Sequence, residues 1–255
     1  MFTFVRKILL CLKVIIYLFS SSNLNLSKFK CLLVHINYIS LDTLFITIIT
    51  SFFISLVLSL QVVKELLYLN APNLVSPMLA MSFIRELSPV LTSIIAISKV
   101  GSLFTAEIGT MSITEQIDAM FILGIDPVSY LFFPRVYSLV IILPVLNLFS
   151  LFTSFISSSF LCFCLYDISP NFFFEHLLYG TMLVDFFKSL FKLCCFGLTI
   201  SVISCVWGIN TSRGSKQVGL STTSAVVTSL ILIFMINFAL SYFLFDFELS
   251  VLKVI

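Results

Sequence analysis

The sequence predicts an all-α, polytopic membrane protein, and three observations carry that expectation. Hydrophobic residues make up 60% of the 255-residue chain, with 29 Phe among them. Charged residues make up only 10%, where a soluble domain normally has about a quarter, and the mean hydropathy is +1.16. The apolar residues also fall in runs long enough for a helix to cross about 30 Å of hydrocarbon, which takes about 20 residues. No Gly/Ser-rich or charged linker divides these runs, so residues 1–255 read as a single domain. Within it, 1–30 form an interfacial amphipathic segment, 31–245 a five-span core, and 246–255 a short tail.

Arg6, Lys7, Lys13, Lys28 and Lys30 flank the apolar stretch Ile8 to Phe19, which is too short to span comfortably. It has the length of a signal-peptide core but no clear small-x-small cleavage site after it. Arg6 and Lys13 fall on one helical face, so an interfacial helix is the expectation, with an uncleaved anchor or a removed targeting segment as alternatives. Leu44 to Val63 is a charge-free span. Asn73 to Ala106 is long enough but holds Arg85, Glu86, Pro89 and Lys99, and reads as a broken or tilted helix whose polar groups face protein or a cavity. Phe132 to Cys164 exceeds one span and contains Pro134 and Pro144, which predicts a kinked helix running into an interfacial segment. Lys192 to Ile209 and Thr222 to Phe245 complete the set.

Between spans, basic residues set the orientation. The N-terminal cluster, the Glu107 to Arg135 connector and Arg213 with Lys216 fall on the cytoplasm-equivalent side. The acidic loop with Asp167, Glu175 and Asp185, and the tail with Asp246 and Glu248, fall opposite.

The connector between the second and third spans reads as a short helix outside the bilayer. Ser112-Ile113-Thr114-Glu115 fits a capping box, and Gly124 with Pro127 just beyond supplies the stop. Ile113, Ile117, Met120 and Phe121 form an apolar face, with Thr114, Glu115 and Asp118 on another.

Composition also excludes classes. A net charge of +2 is too small to imply nucleic acid. Seven Cys lie mostly in apolar runs, where a thiol packs as a small hydrophobe, and Cys162-Phe-Cys164 lacks a second pair or a flanking His, so neither a disulfide framework nor a metal is expected. No cofactor is implied. His35 and His176 are isolated, which suits an interface better than catalysis. Neither an H-E-x-x-H pattern nor a complete nucleophile elbow is present, since Gly219-Leu220-Ser221-Thr222 lacks the second Gly. A passive channel or assembly scaffold stays open beside a transporter.

The run from Arg85 to Arg135 concentrates charge, Gly and Pro in motifs that resemble the signature of MlaE-type permeases, the membrane subunits of ABC-type lipid transporters. They are Arg85-Glu86-Leu87-Ser88-Pro89-Val90-Leu91-Thr92, Val100-Gly101-Ser102, Ala106-Glu107-Ile108-Gly109-Thr110-Met111, Thr114-Glu115-Gln116-Ile117-Asp118-Ala119-Met120, Gly124-Ile125-Asp126-Pro127 and Pro134-Arg135-Val136. The likeness continues in Leu58-Ser59-Leu60-Gln61, in Lys192 ahead of Phe196-Gly197, and in Val218 to Val227. Ser98-Lys99 stand where the family usually has Gly-Arg, and Ser88 where it has Gly. Lys99 therefore keeps the charge without the bidentate fork of Arg.

The resemblance implies a homodimer of five-span subunits, a separate ABC ATPase docked on a coupling helix, an MCE-type substrate-binding subunit on the other face, and phospholipid or a related polar lipid as cargo. The chain itself has no G-x-x-x-x-G-K-[ST] loop. Arg85, Glu86 and Lys99 are the candidates for the lipid cavity. A charge near the bilayer centre costs about 2.5–3.5 kcal/mol on insertion scales, although Arg85 and Glu86 pairing with each other is the plainer alternative. Glu115, Gln116 and Asp118 are the coupling-helix candidates, Glu115 serving equally well as a cap. Glu107 is expected to anchor the connector entry, Gly101 and Gly109 to allow close helix approach, and Gly124 and Pro127 to end the connector helix. Heavy use of Phe, Ile, Leu, Ser, Asn and Lys with a single Trp suits an AT-rich genome such as a plastid's. The family occurs in plastid inner envelopes, the expected location, and in bacterial inner membranes, the alternative.

Overall fold

The computed structural model describes residues 10–11, 13–14, 26–180, 183–211 and 214–245, apart from the side chains of 26–31, 38, 178–180 and 183. Most of the N-terminal interfacial segment, Arg213 and the tail 246–255 lie outside the described residues. Among the described residues the secondary structure is helical throughout, and five helical segments are long and apolar enough to cross a membrane: Leu32–Tyr68, Pro72–Ile113, Val128–Tyr166, Val184–Ile209 and Ser215–Leu244.

Helix α1 (Leu26–Tyr68) has 43 residues, which at 1.5 Å per residue is about 64 Å, roughly twice the hydrocarbon thickness. It includes Leu26 to Lys30, so residue 30 is not a helix boundary. The second span is a relay of α2 (Val75–Ser82), α3 (Ser88–Ala96) and α4 (Ser102–Ile113), joined by π-helical turns at Phe83–Leu87 and Ile97–Gly101. These turns hold Arg85, Glu86 and Lys99, so the break expected from charge and Pro89 is a change of helical pitch instead of a gap. Pro89 has no N–H to give the carbonyl four residues back, which belongs to Arg85, and the widened turn bonds the Ser88 N–H to the Phe83 carbonyl.

The connector carries α5 (Gln116–Ile122), and here the capping box is corrected. Ser112 lies in the last turn of α4 and donates to the Ile209 carbonyl at 3.3 Å. Glu115 stands at the N-cap of α5 in a left-handed conformation, φ 58°, and its side chain makes no cap bond there. The chain turns at Thr114-Glu115, so α5 is a second helix and not a continuation begun by Ser112. Its end follows the expectation. Gly124 has φ 72°, its N–H meets the Phe121 carbonyl at 3.1 Å, and the Ile125 N–H meets the Met120 carbonyl at 3.0 Å, the two bonds of a Schellman motif. Phe121, placed on the inward apolar face by its spacing, is instead 62% exposed, while Ile117 is buried.

Helix α6 (Phe133–Tyr166) is entered through a π-helical turn at Val128–Phe132, where the Asp126 carboxylate accepts from the Val128 and Ser129 N–H groups and Pro127 follows the cap. A short helix not read from the sequence, α7 (Pro170–Gly180), follows and buries Phe173 and Leu177. Helices α8 (Leu183–Ile209) and α9 (Ser215–Leu244) complete the chain.

The described residues resolve into two compact units, those up to 41, 93–143 and 194–235 in one, and 42–92, 144–193 and those from 236 to 245 in the other. The first packs around Ile108, Phe132, Val136, Val202, Val206 and Trp207. The second packs around Val63, Leu79, Phe83, Leu151, Phe173 and Leu177. In the second unit polar seams also cross between helices: Ser51 bonds Thr153 at 2.6 Å, Ser55 bonds Ser157, and Ser88 donates to Asn147 Oδ1 at 2.7 Å. Small hydroxyls let helix backbones approach where no water competes for the hydrogen bonds.

Candidate functional site

The second unit gathers four charges within apolar helices. Arg85 Nη2 and Nε donate to Asp185 Oδ2 at 2.7 and 3.1 Å. Lys192, with none of its side chain exposed, donates from Nζ to Glu86 Oε2 at 3.2 Å, to Ser241 Oγ at 2.9 Å and to the Arg85 carbonyl at 3.0 Å. That carbonyl is the one Pro89 cannot serve. Asn237 Nδ2 and Ser241 Oγ complete Glu86 at 2.9 and 2.6 Å. Two cations thus pair with two carboxylates and tie the second span to α8 and α9, while Lys188, a third cation, shares the Phe245 ring face with Arg85 and Lys192.

This geometry corrects two expectations. Arg85 and Glu86 do not pair with each other; each reaches a separate partner on α8. Asp185, assigned to the acidic loop, lies within the fourth span and is buried, which starts that span eight residues before Lys192, at Val184. The helix extends so far because its charges are paired inside the protein. Asp185, Lys188 and Lys192 recur at i, i+3 and i+7, one face of a helix, and that spacing was the signal that could have identified them. Asn237 and Ser241, at i and i+4 on α9, carried no comparable signal.

Lys99 stands apart. It belongs to the first unit and is exposed within the span. Glu107, expected to anchor the connector entry, accepts from Arg135 Nη2 at 2.9 Å, and so joins the end of the second span to the start of the third. Gly101 and Gly109 lie against α8 and the loop after it. A Cβ on either would come within 3.2 Å of Ser204 or Thr211, respectively, so both permit close approach. Glu115, Gln116 and Asp118 are all exposed on or beside α5. Among the described residues no three His, Cys, Asp or Glu side chains gather as a metal site.

Among the described residues, two clefts offer room for a ligand. One, of about 810 Å³, opens at the end of α1 between Gln61, Lys64, Glu65, Tyr68 and Leu69. The other, of about 530 Å³, lies at the connector end of the first three spans, beside the Glu107–Arg135 pair.

Residues 32–243 match the family model described as Permease MlaE. The chain belongs to the MlaE permease family. It is 45% identical over 201 residues to a probable ABC transporter permease protein of Pyropia yezoensis, covering 79% of this chain and 76% of that one. A probable ABC transporter permease protein of Synechocystis is 42% identical over 210 residues, 82% of this chain and 80% of the relative. The chloroplastic protein Trigalactosyldiacylglycerol 1 of Arabidopsis thaliana is 41% identical over 201 residues, 79% of this chain and 57% of the longer relative. For an MlaE permease, polar groups inside spans, an exposed connector helix and five membrane-length helices are the parts of a transport subunit, and an ABC permease works with an ATPase partner.

Proposed function

We propose that this MlaE permease is the membrane subunit of an ABC transporter that moves phospholipid or a related polar lipid across or between membranes, driven by a separate ATPase subunit. The observation that carries the reading is the open cleft at the end of α1. Its ammonium, carboxylate, amide and phenol stand beside Leu69, a mixture that suits a polar headgroup on an apolar tail. The name of the Arabidopsis relative is that of a galactosylated glycerolipid, which points to the same cargo class.

Arg85 and Glu86 retain a place on the cargo path in this proposal. Their side chains are 23% and 45% exposed, while their partners Asp185 and Lys192 are closed at 9% and 0%. Lys99 is the cargo-facing cation of the first unit. Glu115, Gln116 and Asp118 form the polar surface that receives the ATPase. The fifth span turns Val227, Ile231, Phe234, Met235 and Phe238 outward, an apolar face that a second copy would cover in a homodimer. An MCE-type subunit then docks on the face opposite the connector. Relatives in a red alga and a chloroplast favour the plastid inner envelope, with a bacterial inner membrane as the alternative.

Affinity purification in mild detergent, followed by identification of bound subunits and lipids, tests the assignment. An ATP-binding subunit and phospholipid are expected together, with lipid movement in proteoliposomes that stops without ATP. Lipid movement indifferent to ATP, with no ATP-binding subunit retained, would establish a passive channel or scaffold instead.

A further inference from the structure

We propose that the cleft beside the Glu107–Arg135 pair is a second lipid site, one that takes the phosphodiester headgroup of a glycerophospholipid at the connector end of the spans. The inference rests on the lipid-permease reading above. His35 comes from the start of the first span, Glu107, Thr110 and Thr114 from the end of the second, and Tyr130 and Arg135 from the start of the third. Spans that alternate in direction bring those ends to the same side, at headgroup level. The volume, about 530 Å³, lies within the roughly 300–1,000 Å³ of small-ligand sites.

Arg135 supplies the reason for an anion. The residue is 3% exposed; Nη2 is held by Glu107 and Nη1 by the Leu131 carbonyl at 3.1 Å, while Nε is buried without a hydrogen-bond partner. Arg135 lines the cleft, and a phosphate oxygen is the strongest acceptor that a guanidinium with an unused donor meets in a bilayer. Glu107 supplies the discrimination. Its side chain is 33% exposed beside the guanidinium, so the cleft presents a positive and a negative group together. Free inorganic phosphate, with close to two negative charges, is repelled by that carboxylate. A headgroup carrying a singly charged phosphodiester and a hydroxyl or ammonium a few bonds away satisfies both. Tyr130, 55% exposed, adds an amphipathic ring of the kind that lies at the membrane–water boundary.

The test uses the full-length protein in mild detergent with its bound subunits, and a phosphatidylglycerol carrying a diazirine on the acyl carbon next to the ester. Adducts are expected on the peptide 107–135, competed by dioctanoyl phosphatidylglycerol and not by an equal concentration of inorganic phosphate. Thr114→Trp, which fills the cleft, and Tyr130→Ala, which removes its aromatic wall, should each lower those adducts by about tenfold. Both positions are exposed, so both variants retain the packed core. Absence of adducts in 107–135, equal competition by inorganic phosphate, or wild-type labelling in both variants would overturn the site. Copurified lipid and adducts on residues 61–69, read from the same sample, separate the two failures: their persistence removes this site alone, and their absence removes the lipid reading as a whole.

Discussion

Replacing Glu86 by Leu should destabilise the permease more than replacing Lys192 by Met, although the two residues form one ion pair. The difference follows from exposure. Glu86→Leu leaves the Lys192 ammonium, fully enclosed, with Ser241, the Arg85 carbonyl and the Phe245 ring but no counter-charge, and stranding a buried charge costs about 3–5 kcal/mol. Lys192→Met leaves a carboxylate that is 45% exposed and still bonded to Asn237 and Ser241, so water takes over part of the lost contact. Its main loss is the donor to the Arg85 carbonyl, about 1–3 kcal/mol. For a chain of this size 1 kcal/mol moves the melting temperature by roughly 2–4 °C, so Glu86→Leu should lower it by roughly 6–20 °C and Lys192→Met by roughly 2–12 °C. The double variant buries no charge, and its loss should be smaller than the sum of the singles by at least about 2 kcal/mol. Thermal unfolding in a single detergent, followed by a thiol-reactive dye, gives all three values. Equal losses in the single variants, or a double variant whose loss is their sum, would refute the reasoning.

The joint variant Arg85→Ala/Glu86→Ala should be worse than either single change, because it strands Asp185 and Lys192 together; unfolding in the same detergent decides this, and a double variant milder than the singles would mean that the two residues pair with each other. In a cysteine-free background, single cysteines at Thr114 and Lys216 should react with an impermeant maleimide from one side of the membrane and a cysteine at Asn171 from the other. Labelling of Thr114 and Asn171 from one side would break the five-span topology. Asp118→Arg, on the exposed face of α5, should leave insertion and melting temperature unchanged while reducing ATPase co-purification severalfold, as reversal of an interface charge does. Full retention of the ATPase would remove that face from the coupling surface.

The number of membrane-length helices was legible because composition and run length decide it directly, and the Gly124 stop was legible because a left-handed C-terminal residue is a local requirement. The capping box at Ser112 and Glu115 failed because the same four residues fit both a helix start and a turn after a helix. Packing against the Ile209 carbonyl chose the second. Phe121 failed for a related reason: periodicity names a face but not the surface that covers it. The partners of Arg85 and Glu86 lie about a hundred residues away, on a helix whose Asp185 looked like a loop charge until pairing explained how it enters a span. Asn147 and Ser88 gave no sign of their bond, since Ser and Asn are ordinary in any helix of this composition.

Pro89 places a main-chain oxygen opposite Lys192, and this changes what mutation can reach. A side chain that grips an ammonium can be lost or exchanged in one step, but the Arg85 carbonyl survives every substitution at position 85. Part of the attachment of α8 to the second span is therefore encoded four residues away, in an imino acid whose contribution is an absent hydrogen. Replacing Pro89 by Ala would alter no group in contact with Lys192, yet it would supply a rival donor for the oxygen that Lys192 holds. The helices' mutual position would then depend on which donor the carbonyl prefers, so that an innocuous-looking change could move a span whose own sequence is untouched.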